Sequence, residues 1–147
     1  MDDIALIPAR RTRDPEDVNA SWQLDAYHLD ITVLAAPMDT VMSPAEAVEI
    51  GRLGGVGVLD LDGLWTRYED PLPLLEEIAQ APDGEITSRL QQIYSAPIRD
   101  ELIGQRLEEM RVAGVTVAGR LSPQRTQRYW RTAVEAGIEI FVIRGST

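Results

Sequence analysis

The sequence predicts an α/β fold of about four βα units, equivalent to the N-terminal half of a (β/α)8 TIM barrel. Three observations predict it. Short apolar runs rich in β-branched residues fall near 31–35, 56–59, 115–118 and 138–143, each of a length that suits a buried strand. Ser-Pro pairs at 43–44 and 122–123 open helices shortly after the first and third runs. The segments Ala113-Gly114-Val115 and Ala136-Gly137-Ile138 match, each placing a helix-ending glycine just before a strand. Recurring strand–loop–helix units imply parallel strands with helices outside. Eight such units typically take about 250 residues, so 147 residues hold half of them. A flavodoxin-like sheet is the alternative, but no Gly-rich phosphate loop opens a helix here. Half a barrel leaves two sheet edges and part of a core uncovered. It is therefore expected to need a second half, a partner or a longer chain. The strands at 31–35 and 138–143 should then expose apolar side chains on their barrel-facing side.

The elements follow in order. Residues 1–30 begin with an apolar patch, Ile4-Ala5-Leu6-Ile7-Pro8, and a loop bearing Arg10, Arg11 and Arg13. Arg forks suit phosphate, but Asp14, Glu16 and Asp17 stand close by, and a solvated, self-paired loop is favoured. Trp22, Leu24 and Tyr27 can form a hydrophobic lid, and the one histidine, His28, has no partner motif around it. The first strand, Ile31-Thr32-Val33-Leu34-Ala35, turns at Pro37 and carries Asp39 and Thr40 past its end. Ser43-Pro44 with Glu46 reads as a capping box. The helix after it places Ala45, Val48 and Leu53 on one face and ends at Gly54-Gly55. The strand Val56-Gly57-Val58-Leu59 is followed by Asp60 and Asp62, which can bind a metal or work as acid and base, or simply open a loop. The loop reading is favoured because no further ligand cluster is evident. Residues 64–113 form a helical insert broken at Pro82-Asp83-Gly84, with Ile98, Leu102, Ile103, Leu107 and Met110 at helical spacing as a packing stripe. The last units run through Leu121-Ser122-Pro123 and the final strand into Arg144-Gly145-Ser146-Thr147.

Composition narrows the function classes. Hydrophobic residues at 44% and charged residues at 26% describe an ordinary globular chain able to bury a core. A net charge of −10 argues against nucleic acid as a partner of the whole surface. Cysteine is absent, which removes disulfides, thiolate zinc sites and thiol nucleophiles from these residues. All 14 basic residues are arginine. Met1 leads into Asp2-Asp3 without a basic region or a long apolar run, so neither a signal peptide nor a membrane span is expected, and the expected location is cytoplasmic.

Several segments carry a resemblance: Asp2-Asp3-Ile4-Ala5-Leu6-Ile7-Pro8, Ala36-Pro37-Met38-Asp39-Thr40-Val41, Ile50-Gly51-Arg52-Leu53-Gly54-Gly55-Val56-Gly57-Val58, and the closing Ala136-Gly137-Ile138-Glu139-Ile140-Phe141-Val142-Ile143. In this order they resemble the N-terminal half of the IMP dehydrogenase/GMP reductase family, closest to the IMP dehydrogenase-related branch without a CBS insert. The resemblance implies a barrel that binds a purine nucleotide, GMP or IMP, at its C-terminal face. It also implies hydride transfer between purine C2 and a nicotinamide cofactor, NADP or NAD. Met38 matches a position that packs near the purine. Ala36 stands where the family often has a nucleotide-touching Ser. Arg144, Gly145 and Ser146 match a cofactor loop that usually reads Asp-Ser-Ser. Arg in place of Asp suits a phosphate more than a ribose hydroxyl, which tilts the expectation to NADPH and to GMP reduction. Family catalysis uses a Cys nucleophile in the second half of the barrel. No catalytic or metal-ligating residue is assigned in this chain, which is expected to be an N-terminal fragment, inactive alone and homo-oligomeric as the full-length protein. Asp39 and Thr40 are expected to hold the loop. The alternative is a non-catalytic half-barrel module for binding or assembly.

Overall fold

A computed structural model describes residues 14–82 and 84–145. It is an α/β fold around a parallel sheet. An antiparallel hairpin, β1 (Trp22–Leu24) and β2 (Tyr27–Leu29), precedes it, turning at Asp25 with φ 50°. Then follow β3 (Leu34–Ala35), α1 (Pro44–Arg52), β4 (Val56–Asp60), α2 (Leu72–Gln80), α3 (Ile86–Tyr94), α4 (Asp100–Val112), β5 (Ala118–Leu121), α5 (Pro123–Glu135) and β6 (Ile140–Ile143). The four-stranded sheet has the order β3-β4-β5-β6, every pair parallel. Sequential neighbours joined by crossovers of one hand place α1, α4 and α5 on one face.

Alternation along the strands sorts the two faces. Leu59 and Leu121 point to the helix side and pack with Ala47, Ile103, Leu107, Met110, Tyr129 and Ala133. Val56, Val58 and Ala118 point the other way, onto Leu29 of the hairpin, with Trp22, Ile140 and Val142 against them. This second cluster is thin. Leu34, in register with Val56 and hence on the same face, is 43% exposed, and Ile140 and Val142 are only half-buried.

The helix ends explain where the strands begin. Gly54, Gly114 and Gly137 follow α1, α4 and α5 with φ of 88°, 74° and 84°. Each makes the same closure: Gly54 N bonds Gly51 O and Gly55 N bonds Ile50 O; Gly114 N bonds Arg111 O and Val115 N bonds Met110 O; Gly137 N bonds Val134 O and Ile138 N bonds Ala133 O. These are Schellman closures, which need the left-handed backbone that glycine adopts without a Cβ clash. They use up the first residues after the glycine, so two expected strands shift. The third runs over Ala118–Leu121 rather than 115–118, and the fourth starts at Ile140 rather than 138. The first shortens to Leu34–Ala35, because Asp30 and Ile31 both donate to Gly54 O and Val33 N turns back to Ile31 O. The capping box is present: Glu46 N donates to Ser43 Oγ at 3.2 Å, and Ser43 N donates to Glu46 Oε2 at 3.1 Å. Ser122 differs, since its hydroxyl caps nothing although α5 starts at Pro123.

The inward face of α1 is also corrected. It buries Pro44 and Ala47, while Ala45 and Leu53 are exposed. The sequence pattern suggested otherwise, but β4 presents Gly57 to the helix, and a Cβ there would collide with Ala47 Cα. Close helix–strand approach therefore selects Ala47. The expected packing stripe is buried: Leu102, Ile103, Leu107 and Met110 on α4, and Ile98 just before it, all lie in the core. Within the expected insert, α2 and α3 leave this body through a neck. Arg99 N donates to Thr66 O at 2.8 Å, the Tyr68 hydroxyl to Ile93 O at 2.8 Å, and Arg67 Nη1 to Ala96 O. No described helix is long and apolar enough to cross a membrane.

Candidate functional site

Parallel strands direct their carboxyl ends to one rim, where the loops carry polar groups. Asp39 comes from the loop after β3, Asp60 ends β4 with Asp62 just beyond, and Arg120 lies on β5 in register with Asp60. Arg120 Nη1 lies 3.0 Å from Asp60 Oδ1 and 3.5 Å from Asp62 Oδ2. Asp62 Oδ2 also accepts from Ser122 N at 2.9 Å, so the residue before α5 is held through its backbone and not its hydroxyl. Asp60 Oδ1 accepts from Asp62 N at 3.0 Å. Arg120 Nη2 reaches Arg144 O at 3.4 Å, tying β5 to the segment after β6.

Asp39 is bound from two directions. Its Oδ2 accepts from Leu64 N at 3.0 Å and from the Tyr94 hydroxyl at 2.6 Å. Gly63 backs the carboxylate so closely that a Cβ there would strike Oδ1. Burial raises the pKa of both Asp39 and Asp60; hydrogen bonds from Tyr94 and Leu64 to Asp39, and from Asp62 and Arg120 to Asp60, oppose it in part. Tyr94 is also raised, by burial first and then by its bond to the Asp39 carboxylate. Some buried hydrogen-bonding capacity at this rim has no protein partner: Asp39 Oδ1, Asp62 Oδ1 and Arg120 Nε.

The residues singled out in the sequence fall at opposite ends of the rim. Ala36 is exposed and Met38 is 50% exposed, beyond the edge strand β3. Met38 O accepts from Val41 N at 3.0 Å and Met42 N at 2.8 Å, so Met38 opens a tight turn. Arg144 and Gly145 follow β6, the other edge, and Ser146 lies outside the described residues, as do Arg10, Arg11, Arg13 and the patch at 4–8. The sheet does not bring Met38 and Arg144 together; β4 and β5 stand between them with Asp60 and Arg120. Arg144 and Gly145 do share a depression of about 400 Å³ with Arg120, Ser122, Pro123 and Gln124. Two guanidinium groups and the first turn of α5 meet there, a combination that suits an anionic group. Arg144 makes no ion pair among the described residues, whereas Arg120 is shared with two carboxylates. His28 is exposed on β2, away from this rim. Asp60 and Asp62 pair with Arg120 and accept from the amides of Asp62 and Ser122.

Arg120 and Tyr94 were not singled out from sequence. For Arg120 the signal was an arginine inside an otherwise apolar strand segment, Val117-Ala118-Gly119-Arg120-Leu121. For Tyr94 there was none, as its partner lies 55 residues away.

A parallel α/β domain with its polar rim at the carboxyl ends of the strands is of the class that binds ligands there. The comparisons narrow this class: the IMP dehydrogenase / GMP reductase domain model matches residues 1–143, and the chain belongs to that family. It is 43% identical over 151 residues to an uncharacterised oxidoreductase of Mycolicibacterium smegmatis, covering 99% of this chain and 40% of that protein. It is 30% identical over 123 residues to the inosine-5'-monophosphate dehydrogenase of Staphylococcus aureus, covering 80% of this chain and 23% of the enzyme. The crystal structure of an IMP dehydrogenase/GMP reductase-like protein from Corynebacterium glutamicum superposes with a TM-score of 0.86 at 34% identity, covering 98% of this chain and 40% of that one. The chain thus spans about 40% of the length of its more similar relatives.

Proposed function

We propose that these residues supply the first four βα units of a (β/α)8 barrel whose full-length protein is a purine-nucleotide oxidoreductase. The exposed Leu34 and half-buried Ile140 and Val142 support the half-barrel reading, because that face is where further strands would close a core. In this reading Ala36 and Met38 lie beside the purine of GMP or IMP, and Arg144, Gly145 and Ser146 hold the nicotinamide nucleotide. A nicotinamide nucleotide, when bound, would supply hydride-transfer chemistry at purine C2. The chain's own part is to bind and orient: Arg144 and Arg120 attract phosphate, and Met38 offers an apolar surface to the base. The nucleophile comes from outside these residues, so the chain alone is inactive.

The observation that carries this reading is the depression where Arg144, Arg120 and the start of α5 converge in a chain of this family. It fits a phosphate-bearing group better than a bare ribose hydroxyl, and it favours NADPH over NAD and GMP reduction over IMP oxidation. The test is to mix the full-length protein with GMP and NADPH and follow the absorbance band of the reduced cofactor. Loss of that band is expected. No loss, with NAD reduced in the presence of IMP, reverses the direction and the cofactor.

The second reading is a non-catalytic assembly module. It is favoured by the thin, partly open apolar face beside β3 and β6. Failure of the full-length protein to turn over either nucleotide pair would favour it.

A further inference from the structure

The α2–α3 arm is built unlike the rest of the molecule. α2 buries no residue and α3 buries only Ile93. An arm whose other apolar side chains are at most half-buried depends on specific polar contacts for its placement. Those contacts gather at its base, in the neck formed by Thr66, Arg67, Tyr68, Ile93, Ala96 and Arg99. The Arg67 guanidinium also lies 5.8 Å from the centre of the Tyr94 ring. This places Tyr94, the last residue of α3, against the loop after β3.

There the Tyr94 hydroxyl donates to Asp39 Oδ2, the same oxygen that accepts from Leu64 N. Asp39 directly follows Met38, whose carbonyl closes the turn with Val41 N and Met42 N. Beside this bond the loop and α2 border a cavity of about 350 Å³, lined among others by Val41, Met42, Trp65, Leu72 and Leu75. The phenol–carboxylate bond is the side-chain hydrogen bond between the α2–α3 arm and this loop among the described residues. We propose that the α2–α3 arm latches the Met38 loop, and that Tyr94 is the positioning residue through which it does so. The proposal rests on the reading above that Met38 lies beside the purine.

The physical basis is the setting of Asp39. A desolvated carboxylate needs its donors. Without the phenol, Leu64 N is the one remaining donor to it among the described residues. The carboxylate then turns toward water and takes the Met38 turn with it. The latch acts on ground-state placement of the base, so it shows in KM more than in kcat.

The test uses the full-length protein with Tyr94→Phe, Asp39→Asn and the double variant. Amide hydrogen exchange is read at Leu64, Val41 and Met42, without any ligand. Tyr94→Phe should speed exchange at these amides about tenfold, the loss of one hydrogen bond to a charged group. It should raise KM for the purine nucleotide about tenfold with kcat within about twofold. The double variant should be no worse than Asp39→Asn, since both remove one link. Unchanged exchange in Tyr94→Phe, additive effects in the double variant, or a fall in kcat at constant KM would each overturn the latch. If the protein turns over no purine nucleotide, the functional reading fails, and hydrogen exchange alone still decides whether Tyr94 holds the loop.

Discussion

Helices α4 and α5 and the α2–α3 arm all connect strands, yet they are held in opposite ways. α4 buries Leu102, Ile103, Arg106, Leu107 and Met110, and α5 buries Tyr129 and Ala133. The arm buries Ile93 alone and relies on hydrogen bonds at its base. Apolar area sets global stability, whereas a few polar contacts set the local opening of a segment. The molecule thus separates a body that determines whether the chain folds from an appendage that determines how one loop is held.

Substitutions can break or sharpen this contrast. The largest effect is expected from Leu107→Ala in the body, a loss of about 3 kcal/mol from transfer and cavity terms, read by urea unfolding. A loss below about 1 kcal/mol would show that the α4 seam is not the core. Next comes Arg106→Ala, at about 2 to 3 kcal/mol. This buried guanidinium donates to Trp65 O at 3.0 Å and Glu69 O at 2.5 Å, and pairs with Glu109 at 2.7 Å. Its removal leaves carbonyls unpartnered where the body meets the arm, so hydrogen exchange should rise at residues 65–69 as well. Gly57→Ala should cost about 1 to 3 kcal/mol by pushing α1 off β4, with a shifted near-ultraviolet spectrum and an unchanged helix content.

Smaller differences appear in pH dependence, and rim and arm should differ in sign. Asp39 has a folded pKa raised above its ordinary 3.8. Its contribution is fully present below that value and lost as pH rises through the raised folded value. Glu77 on α2 is lowered from 4.5 by its bond to Arg89, so its contribution is present above 4.5 and lost as pH falls. Asp39→Asn should therefore make the stability–pH slope more positive just above pH 3.8, and Glu77→Gln should make it less positive just below pH 4.5. Slopes that move together would contradict the contrast. The smallest change is expected from Leu72→Ala on α2, within about 0.5 kcal/mol, because Leu72 is 54% exposed.

What the sequence disclosed follows the same division. Local signals were legible: the capping box at Ser43, the apolar runs, and the glycines that end α1, α4 and α5. Their consequences were less so. After Gly114 and Gly137 the Schellman closure spends the following residues, so β5 and β6 begin two to three positions later than their apolar runs. The β1–β2 hairpin was hidden because its strands are short and its turn is made by Asp25 at positive φ instead of a glycine. At the rim, Asp60 and Asp62 read as metal ligands or loop openers until the sheet register put Arg120 beside them. Tyr94 and Asp39 meet only in three dimensions. The family resemblance gave Met38 and Arg144 expected roles that periodicity could not suggest, while the structure puts them beyond opposite edges of the sheet.

The neck at the base of the arm has one more consequence. Thr66 meets Arg99, Arg67 meets Ala96, and Tyr68 meets Ile93, three rungs across which the chain departs and returns. Such a doorway makes the stretch between the rungs interchangeable. Within residues 70–92, excision or replacement by another module is expected to leave strand order, register and helix seams as they are, read by an unchanged hydrogen-exchange pattern in β4 and β5. What hangs outside this doorway can therefore change while the fold inside it stays, and Tyr94, which sits in the doorway itself, keeps its place beside the loop after β3.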